Sequence, residues 1–226
     1  MKHFSLFRRV LFLALLCLSW AANAQTHYNL QIGTGTDANN YVPNYTFYNY
    51  SYSQTLYTAA EVGIDGDIDT IAFNLSYGGA TRDLLIYMAE VSQTSLATQV
   101  AASEFTQVFN GTVSWETGWT VIPLDTVFPY QGTGSLVIAV VDETGSYVSG
   151  RTFLGTNKSE TRSKYIYNDY NAYNTASQMS NSTAFSPNIR ICINSTSTYC
   201  AAPTYVMVSD ITSSRVSSDI SRSPLR

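Results

Sequence analysis

Residues 115–145 constrain the possible fold more than any other part of this chain. They read WETGWTVIPLDTVFPYQGTGSLVIAVVDETG. Val121, Pro123 and Asp125 alternate with Ile122, Leu124 and Thr126, the groups Phe128-Pro129-Tyr130 and Gly132-Thr133-Gly134 follow, and 136–141 is a continuous apolar run. Period-two alternation, then turn residues, then an apolar run rich in β-branched residues predict a strand, a turn and a buried strand. The segment contains no catalytic constellation.

Residues 1–24 have the pattern of a secretory signal peptide. A basic start, MKHFSLFRR, precedes an apolar run over residues 10–20, and Ala22-Asn23-Ala24 gives the small-x-small cleavage pattern before Gln25. The apolar run is too short to cross a bilayer. The sequence therefore predicts an exported protein, secreted or at the cell surface, without a membrane span.

The mature chain is mildly acidic and sparsely charged. Removing Lys2, Arg8 and Arg9 with the signal from the 12 basic residues leaves 9 against 16 acidic residues, a net charge of −7. Scattered Lys and Arg residues provide no basic surface for nucleic acid or for anionic lipid. We therefore expect no nucleic-acid partner.

Short alternating or apolar runs recur after the signal, and helical periodicity is almost absent. The expected strands cover residues 28–32, 53–58, 68–76, 84–91, 105–114, 119–124, 136–141, 152–155, 164–168 and 189–193. Gly, Asn, Asp, Ser or Pro stands in nearly every gap. About ten strands at this spacing predict an all-β, antiparallel β-sandwich, jelly-roll-like rather than immunoglobulin-like. Short helical turns are expected within 58–63 and 94–101.

The domain boundary is expected near residue 196, with the sandwich over 25–196. In 197–226, a linker leads to one edge strand containing Val206, Val208 and Ile211. The final segment, SSRVSSDISRSPLR, has no aromatic residue and little apolar surface to bury. Burial cannot then offset the entropy cost of ordering, so this tail is expected to be disordered.

Two cysteines remain in the mature chain, Cys192 and Cys200. Outside the cytoplasm such a pair can oxidise, but geometry rather than spacing decides whether it does. The disulfide and the two free thiols both stay open. A metal site is less favoured, because two thiolates without a nearby histidine rarely complete a coordination shell.

The sequence argues against an enzyme. His3 lies in the signal and His27 lies just after it, so a serine or cysteine triad has no credible base. Carboxylates could still pair across a sheet as in glycosidases. The candidates are Glu90, Glu104, Glu116, Asp142 and Glu143. For Asp142-Glu143 a strand-ending turn is the favoured interpretation.

The one candidate metal site is an acidic cluster. Asp65, Asp67 and Asp69 alternate as the first ligands of a calcium loop do, and hard cations prefer oxygen ligands. The pattern then fails, because Thr70 and Ser76 occupy the positions of the required glycine and glutamate. A tight turn leading into a strand is favoured over calcium, the only cofactor considered.

Tyrosine is the remaining resource for binding, with 17 residues in the chain. Two tyrosine-rich clusters stand out, over residues 41–57 and 165–173. Their candidate ligand-binding residues are Tyr48, Tyr50, Tyr52, Tyr170 and Tyr173. Tyrosine combines a flat apolar face with a hydroxyl, which suits sugar stacking and protein interfaces. Alternate tyrosines along a strand also commonly pack across the sheet. For the tyrosine clusters, ligand binding and packing across the sheet both stay open. Trp119, by contrast, is expected to be buried at a bend between strands.

Several motifs carry a family resemblance. They are YNYSYSQTLYTAAEVG at 48–63, IDTIAF at 68–73, RDLLIYM at 82–88, Gly118-Trp119, Leu124-Asp125, Phe128-Pro129-Tyr130 and LVIAV at 136–140. Over residues 28–194 the chain resembles the N-terminal β-sandwich module of exported, Bacteroides-type surface or adhesin-like proteins. This resemblance implies a jelly-roll-like module that binds a glycan or protein ligand at the cell surface. Alternatives are an accessory domain of a larger secreted peptidase or glycosidase, and a structural spacer.

The resemblance extends to the C-terminal segment. CAAPTYVMVSDIT at 200–212 resembles the first strand of a fibronectin type III domain, which in such proteins follows the sandwich module. The chain departs from that pattern at Ser214-Arg215, and roughly 25 residues cannot build such a sandwich. The hypothesis is therefore a truncated or frame-shifted gene product.

Overall fold

A computed structural model describes residues 25–197 and 206–207. The predicted signal peptide and most of the segment after residue 197 lie outside the described residues. The strands are β1 (Thr26–Ile32), β2 (Asp37–Asn39), β3 (Tyr50–Tyr57), β4 (Gly66–Tyr77), β5 (Ala80–Val91), β6 (Thr106–Trp115), β7 (Gly118–Tyr130), β8 (Ser135–Asp142), β9 (Thr152–Asn157), β10 (Ser163–Asn168), β11 (Asn181–Thr183), β12 (Phe185–Pro187), β13 (Ile189–Ser195) and β14 (Val206–Met207). The helical elements are α1 (Ala59–Val62) and a 3-10 turn (Ala102–Glu104).

The strands form two antiparallel sheets. The first sheet has the order β12-β9-β4-β13-β1-β14, with β7 paired to β4 and β2 paired to β9. The second sheet has the order β11-β10-β3-β8-β5-β6. The chain crosses repeatedly from one sheet to the other, for example from β3 to β4 and from β4 to β5. The predicted all-β sandwich is confirmed.

All ten predicted strands are present, but the estimate of about ten was too low. It missed β2, β11 and β12, which have three residues each. Strands this short cannot display a period-two pattern, so sequence alternation does not reveal them. The two-residue β14 lies in the predicted edge strand and pairs antiparallel with β1, Val206 opposite Leu30.

Two local predictions were wrong. The expected turn at Phe128-Pro129-Tyr130 is instead the end of β7, which continues through Pro123 and Pro129. Because β7 pairs only with β4 among the described strands, it is an edge strand, where a proline need not interrupt a ladder. Residues 94–101 form no helix, and the helical turn follows at Ala102–Glu104.

The core explains why β8 reads as a continuous apolar run. One face of the second sheet packs against the first sheet, where Ile86, Ile138 and Ile191 belong to one cluster. Its other face is covered by the loop over 92–105 and by the loop over 169–180. All eight residues of β8 are therefore buried. A strand buried on both faces loses the alternation that a half-exposed strand shows.

A capping box and an ion-pair cluster fix the end of the sandwich that contains α1. The Thr58 hydroxyl accepts a hydrogen bond from the Glu61 backbone N–H, and the Thr58 backbone N–H donates to Glu61 Oε2 at 2.8 Å. Gly63 ends the helix with φ at 76°, a conformation that glycine adopts without strain. Lys158 Nζ and Arg162 Nη1 lie 2.9 and 2.7 Å from the Glu61 carboxylate.

These contacts set the protonation of Glu61. Burial acts to raise its pKa, but the Thr58 backbone hydrogen bond and the Lys158 and Arg162 cations outweigh burial and lower the pKa from 4.5 to about 2. The folded state therefore holds this carboxylate ionised more strongly than the unfolded chain does. The resulting stabilisation is present above pH 4.5 and is lost as pH falls toward 2.

We predict that Glu61→Gln reduces the free energy of unfolding at pH 6 and that this difference shrinks as pH falls toward 2. Denaturant unfolding of both proteins at several pH values measures it. Glu160→Gln, at an exposed glutamate close to Arg162, controls for the loss of a surface carboxylate. A stability difference that stays constant from pH 6 to pH 2.5 would contradict the role given to Glu61.

Candidate functional site

Five connections meet at one end of the sandwich, which we call the aromatic end. They are the loops over 40–49, 143–151 and 169–180, the turn at Gly78-Gly79 and the turn at Glu116-Thr117, whose Thr117 hydroxyl donates to the Gly78 carbonyl at 3.1 Å. The strand registers place them together: Ser51 at the start of β3 lies opposite Asp142 at the end of β8, and Tyr50 lies opposite Asn168 at the end of β10. Tyr77 at the end of β4 pairs with Thr152 at the start of β9.

Exposed aromatic side chains concentrate at this end. Within residues 25–197, the large hydrophobic side chains exposed to solvent are Phe47, Tyr77, Val121, Val127, Tyr147 and Tyr170. The four aromatic ones all lie at the aromatic end, whereas the two valines lie on the edge strand β7. Tyr170, Tyr77 and Tyr147 are 86%, 69% and 65% exposed. A sandwich end with clustered loops is a common place for a binding site.

A packed tyrosine cluster lies beneath these exposed rings. Its members are Tyr41, Tyr45, Tyr48, Tyr165 and Tyr167. Tyr41 stacks on Tyr165 with ring centroids 4.8 Å apart and an interplanar angle of 11°. The buried ring of Tyr45 meets Tyr167 edge to face at 4.8 Å, and Tyr48 lies 4.2 Å from Tyr167. These geometries are the favourable ones for aromatic pairs, so the cluster holds the 40–49 loop against β10.

Burial affects the titration of three members of the cluster, Tyr45, Tyr165 and Tyr167. Burial, together with the neighbouring tyrosines 41, 167 and 48, raises the pKa of Tyr45 to about 12. Burial also raises the pKa of Tyr165 and that of Tyr167. These hydroxyls therefore stay protonated and can donate as well as accept hydrogen bonds.

The loops of the aromatic end are tied to one another by backbone and side-chain contacts. The Val148 N–H donates to the Thr46 carbonyl at 2.7 Å, and the Thr46 hydroxyl donates to the Val148 carbonyl at 2.9 Å. The rings of Phe47 and Tyr147 meet at 6.2 Å with an interplanar angle of 65°. Phe47 and Tyr147 therefore form an exposed aromatic pair on two loops that are hydrogen-bonded to each other.

A second connection brings the loop that carries Tyr170 to the same place. The backbone N–H of Asn49 donates to Asp169 Oδ1 at 3.1 Å, and the Asn49 side-chain amide donates to the Asp169 carbonyl at 3.0 Å. Asn168 Oδ1 accepts from the N–H groups of Tyr170 and Asn171 at 2.6 and 2.7 Å. This Asx-type turn presents the Tyr170 ring to solvent.

A buried ion pair anchors the aromatic end from below. Arg82 on β5 and Asp142 on β8 are both fully buried, with Nη2 and Oδ2 2.6 Å apart and Nε and Oδ2 2.7 Å apart. The remaining Arg82 donors reach the backbone carbonyls of Ser146 and Tyr48. The pair therefore connects two strands to both loops that carry the Phe47–Tyr147 pair.

Asn44 completes this buried network. Its amide nitrogen donates to Asp142 Oδ2 at 2.6 Å, and its amide oxygen accepts from Trp115 Nε1 at 3.0 Å. Asp142 Oδ1 accepts from the backbone N–H and the hydroxyl of Thr144. Each Asp142 oxygen thus has at least two partners, which is the condition under which a buried carboxylate is tolerated.

The structure separates the five predicted ligand-binding tyrosines. Tyr170 is the most exposed, and Tyr50 is half-buried in the first position of β3. Tyr48 is half-buried and belongs to the tyrosine cluster. Tyr52 is completely buried, with its hydroxyl bonded to Gln54 and to the Thr175 carbonyl, so its prediction as a surface contact was wrong. Tyr173 packs against the core cluster that contains Tyr52.

The prediction that Trp119 is buried was also wrong. The buried tryptophan of this region is Trp115, whereas Trp119 lies half-buried on the outer face of the first sheet with the Arg190 guanidinium 4.2 Å from its ring centroid. The sequence interpretation also passed over Phe47 and Tyr147 as exposed side chains. A signal existed for Tyr147, because it stands in a loop between Gly145 and Gly150 without an apolar strand pattern.

The three predicted calcium ligands lie at the start of β4: Asp65 directly precedes the strand, and Asp67 and Asp69 lie within it. Asp69 Oδ2 accepts a hydrogen bond from Asn194 at 2.7 Å, which faces it from β13. Within the described ranges, no three His, Cys, Asp or Glu side chains form a group that could hold a metal ion. A calcium site at Asp65, Asp67 and Asp69 stays a prediction that no such group supports.

Two of the other acidic candidates, Glu90 and Asp142, have structural partners. The Glu90 carboxylate accepts hydrogen bonds from the backbone N–H groups of Gln131, Thr133 and Gly134 at 2.6 to 2.7 Å. Burial acts to raise the pKa of Glu90, and these backbone donors outweigh it and lower the pKa. Glu90 thus fastens the β7–β8 turn, and Asp142 serves both the predicted strand-ending turn, through Thr144, and the buried ion pair.

The outer face of the first sheet contains the predicted disulfide cysteine. Cys192 Sγ donates to Asn29 Oδ1 at 2.7 Å, and Cys192 is half-buried. Cys200 lies outside the described residues, so the disulfide stays a prediction. His27, on the same face, has its Nδ1 2.9 Å from Asn194 Oδ1, in a regular strand rather than a flexible end.

No family model and no curated protein matches this chain. Among solved structures, it is similar to the crystal structure of the cysteine protease and lectin-like domains of Cwp84, a surface layer associated protein of Clostridium difficile. The TM-score is 0.38 and the sequence identity 17%, over 72% of this chain and 37% of that chain. Our chain thus spans less than half the length of that neighbour. A similarity at this TM-score carries no argument about function.

Within residues 25–197 and 206–207, no helix has the length and apolar character needed to cross a bilayer.

We predict that Arg82→Met destabilises the protein by about 3–5 kcal/mol, because it leaves the Asp142 carboxylate buried without its cation. The double variant Arg82→Met with Asp142→Leu should be less unstable than Arg82→Met alone, since no unpaired charge remains. Denaturant unfolding measures both. Arg151→Ala is the control, because that guanidinium bonds the Gly79 and Ser149 carbonyls at the surface and its loss should cost about 1 kcal/mol.

Proposed function

We propose that this protein is an exported, non-catalytic module that binds a cell-surface partner through its aromatic end. The observation that carries the proposal is the placement of all four exposed aromatic side chains of residues 25–197 at that end. Leaving such rings in water is unfavourable, and a binding surface gives them a partner that buries them. The signal-like N-terminal sequence supports export.

Preorganisation supports the same proposal. The Phe47–Tyr147 pair lies on loops that the Thr46–Val148 hydrogen bonds and the buried Arg82 guanidinium hold together. A loop that is already ordered loses little conformational entropy when it binds. The aromatic pair therefore has the rigid support that binding surfaces need.

The non-catalytic part of the proposal rests on the acidic residues. Glu61 is paired with two cations, Glu90 accepts from a turn, and Asp142 is paired with Arg82. Carboxylates saturated by structural partners are poorly placed to act as a general acid or a nucleophile.

We predict that Phe47→Ala with Tyr147→Ala weakens attachment of the purified, fluorescently labelled protein to cells by tenfold or more. Flow cytometry over a concentration series measures attachment, and removal of two central aromatic contacts at about 1 kcal/mol or more each gives this magnitude. The matched control is Val121→Ala with Val127→Ala, which removes exposed apolar side chains from β7. Equal losses in the two variants, or unchanged attachment in both, would contradict a binding role for the aromatic end.

A further inference from the structure

We infer that the partner of the aromatic end is a neutral glycan. The inference rests on the proposed function and names the chemical class of its ligand. It follows from three features of the described residues: the scarcity of available charge at this end, the separate exposed rings, and the uncharged hydrogen-bonding groups beside them.

Charged side chains are scarce at the aromatic end. Residues 40–49, NYVPNYTFYN, contain none, the loops over 143–151 and 169–180 contain Glu143, Arg151 and Asp169, and the turn at Glu116-Thr117 adds the exposed Glu116. The Arg151 guanidinium is used by the Gly79 and Ser149 carbonyls, and the Asp169 carboxylate accepts from Asn49. Glu116 and Glu143 are the carboxylates without such a contact, and the one cation, Arg151, is already engaged by two carbonyls, so the surface offers no unengaged cation for an acidic glycan and little for a charged protein patch.

The buried charges do not alter this conclusion. Arg82 and Asp142 are fully buried and neutralise each other 2.6 Å apart. The tyrosine hydroxyls beneath the surface stay protonated, because burial raises the pKa of Tyr45, Tyr165 and Tyr167. The buried ion pair and these tyrosines therefore add dipoles and ring faces, but no net charge, to the aromatic end.

The exposed rings suit sugars. One face of a pyranose ring consists of C–H groups, which stack on an aromatic face, while its hydroxyls remain at the edge for hydrogen bonding. The Phe47–Tyr147 pair and Tyr170 provide such rings on three loops: the Thr46–Val148 hydrogen bonds join the first two, and the Asn49–Asp169 contacts join the third. A protein interface instead needs a broad buried patch of about 800 Å² per partner, with a closely packed apolar centre.

Uncharged donors and acceptors lie beside the rings. Asn171 and Asn174 are exposed in the loop that carries Tyr170. The Asn171 backbone N–H bonds Asn168, while its side-chain amide projects from an exposed residue directly next to Tyr170. An amide presents both a donor and an acceptor, which matches the dual character of sugar hydroxyls.

The test uses the purified protein on an array of neutral hexose and N-acetylhexosamine oligosaccharides together with sialylated and sulfated ones. We expect binding to neutral glycans, confirmed by calorimetry, and an affinity that changes less than twofold between 0.05 and 0.5 M NaCl. Binding through ion pairs would weaken strongly over that range. Phe47→Ala with Tyr147→Ala should reduce the affinity tenfold or more, whereas Val121→Ala with Val127→Ala should not change it.

Tyr170 gives a finer control within the site. Tyr170→Phe retains the ring and should keep most of the affinity, whereas Tyr170→Ala removes the stacking surface and should lower it severalfold. Unchanged melting temperatures in both variants would show that folding is intact. Equal losses for the two variants would instead assign the effect to the hydroxyl and overturn the stacking argument.

Treatment of cells separates failure of this inference from failure of the proposed function. Attachment that periodate abolishes and protease spares supports a glycan. Attachment that protease abolishes and periodate spares overturns the glycan inference and leaves surface binding intact. An array that responds only to sulfated or sialylated glycans also overturns the inference, and absence of attachment to any cells contradicts the proposed function itself.

Discussion

The buried ion pair between Arg82 and Asp142 is the interaction on which the rest of the aromatic end depends. It joins β5 to β8 inside the sandwich, where both side chains are fully excluded from solvent. Two charges at this depth are tolerated only when their hydrogen-bonding capacity is filled, and here Asn44, Thr144 and two loop carbonyls fill it. The loops that carry the exposed aromatic pair are therefore built onto the interior.

This arrangement links the core to the proposed site through a short series of contacts. Asn44 bonds both Asp142 and Trp115, so the interior also orients the start of the 40–49 loop. From there the chain forms the tyrosine cluster and then exposes Phe47. The opposite end of the sandwich is fastened differently, by half-buried carboxylates at Glu61 and Glu90 that accept from turns and cations. One end of the sandwich is thus closed by polar clamps, while the other presents aromatic rings.

Much of the fold could be predicted from the sequence, and less of the candidate site. Alternation or continuous apolar runs predicted the strands with six or more residues, whereas the three-residue strands show no such pattern. The tyrosine-rich segments were recognised as the binding resource, but individual tyrosines were not sorted. Tyr52 and Tyr170 both stand in tyrosine-rich segments, and the packing of loop 169–180 over the second sheet buries Tyr52 while Tyr170 stays exposed. Asp142 was recognised as a turn residue, but its ion pair was missed, because its partner Arg82 lies 60 positions away.

The sequence by itself determined that this chain is all-β, because period-two patterning and turn residues are local properties that need no knowledge of distant contacts. It also determined the scarcity of charge that favours an uncharged ligand. The tertiary structure alone decided which sheet is covered on both faces, which carboxylates are paired and which aromatic rings reach solvent. These are properties of residues brought together from far apart in the chain, so no local pattern contains them. The strand registers that gather the loops over 40–49, 143–151 and 169–180 at one end create the candidate site.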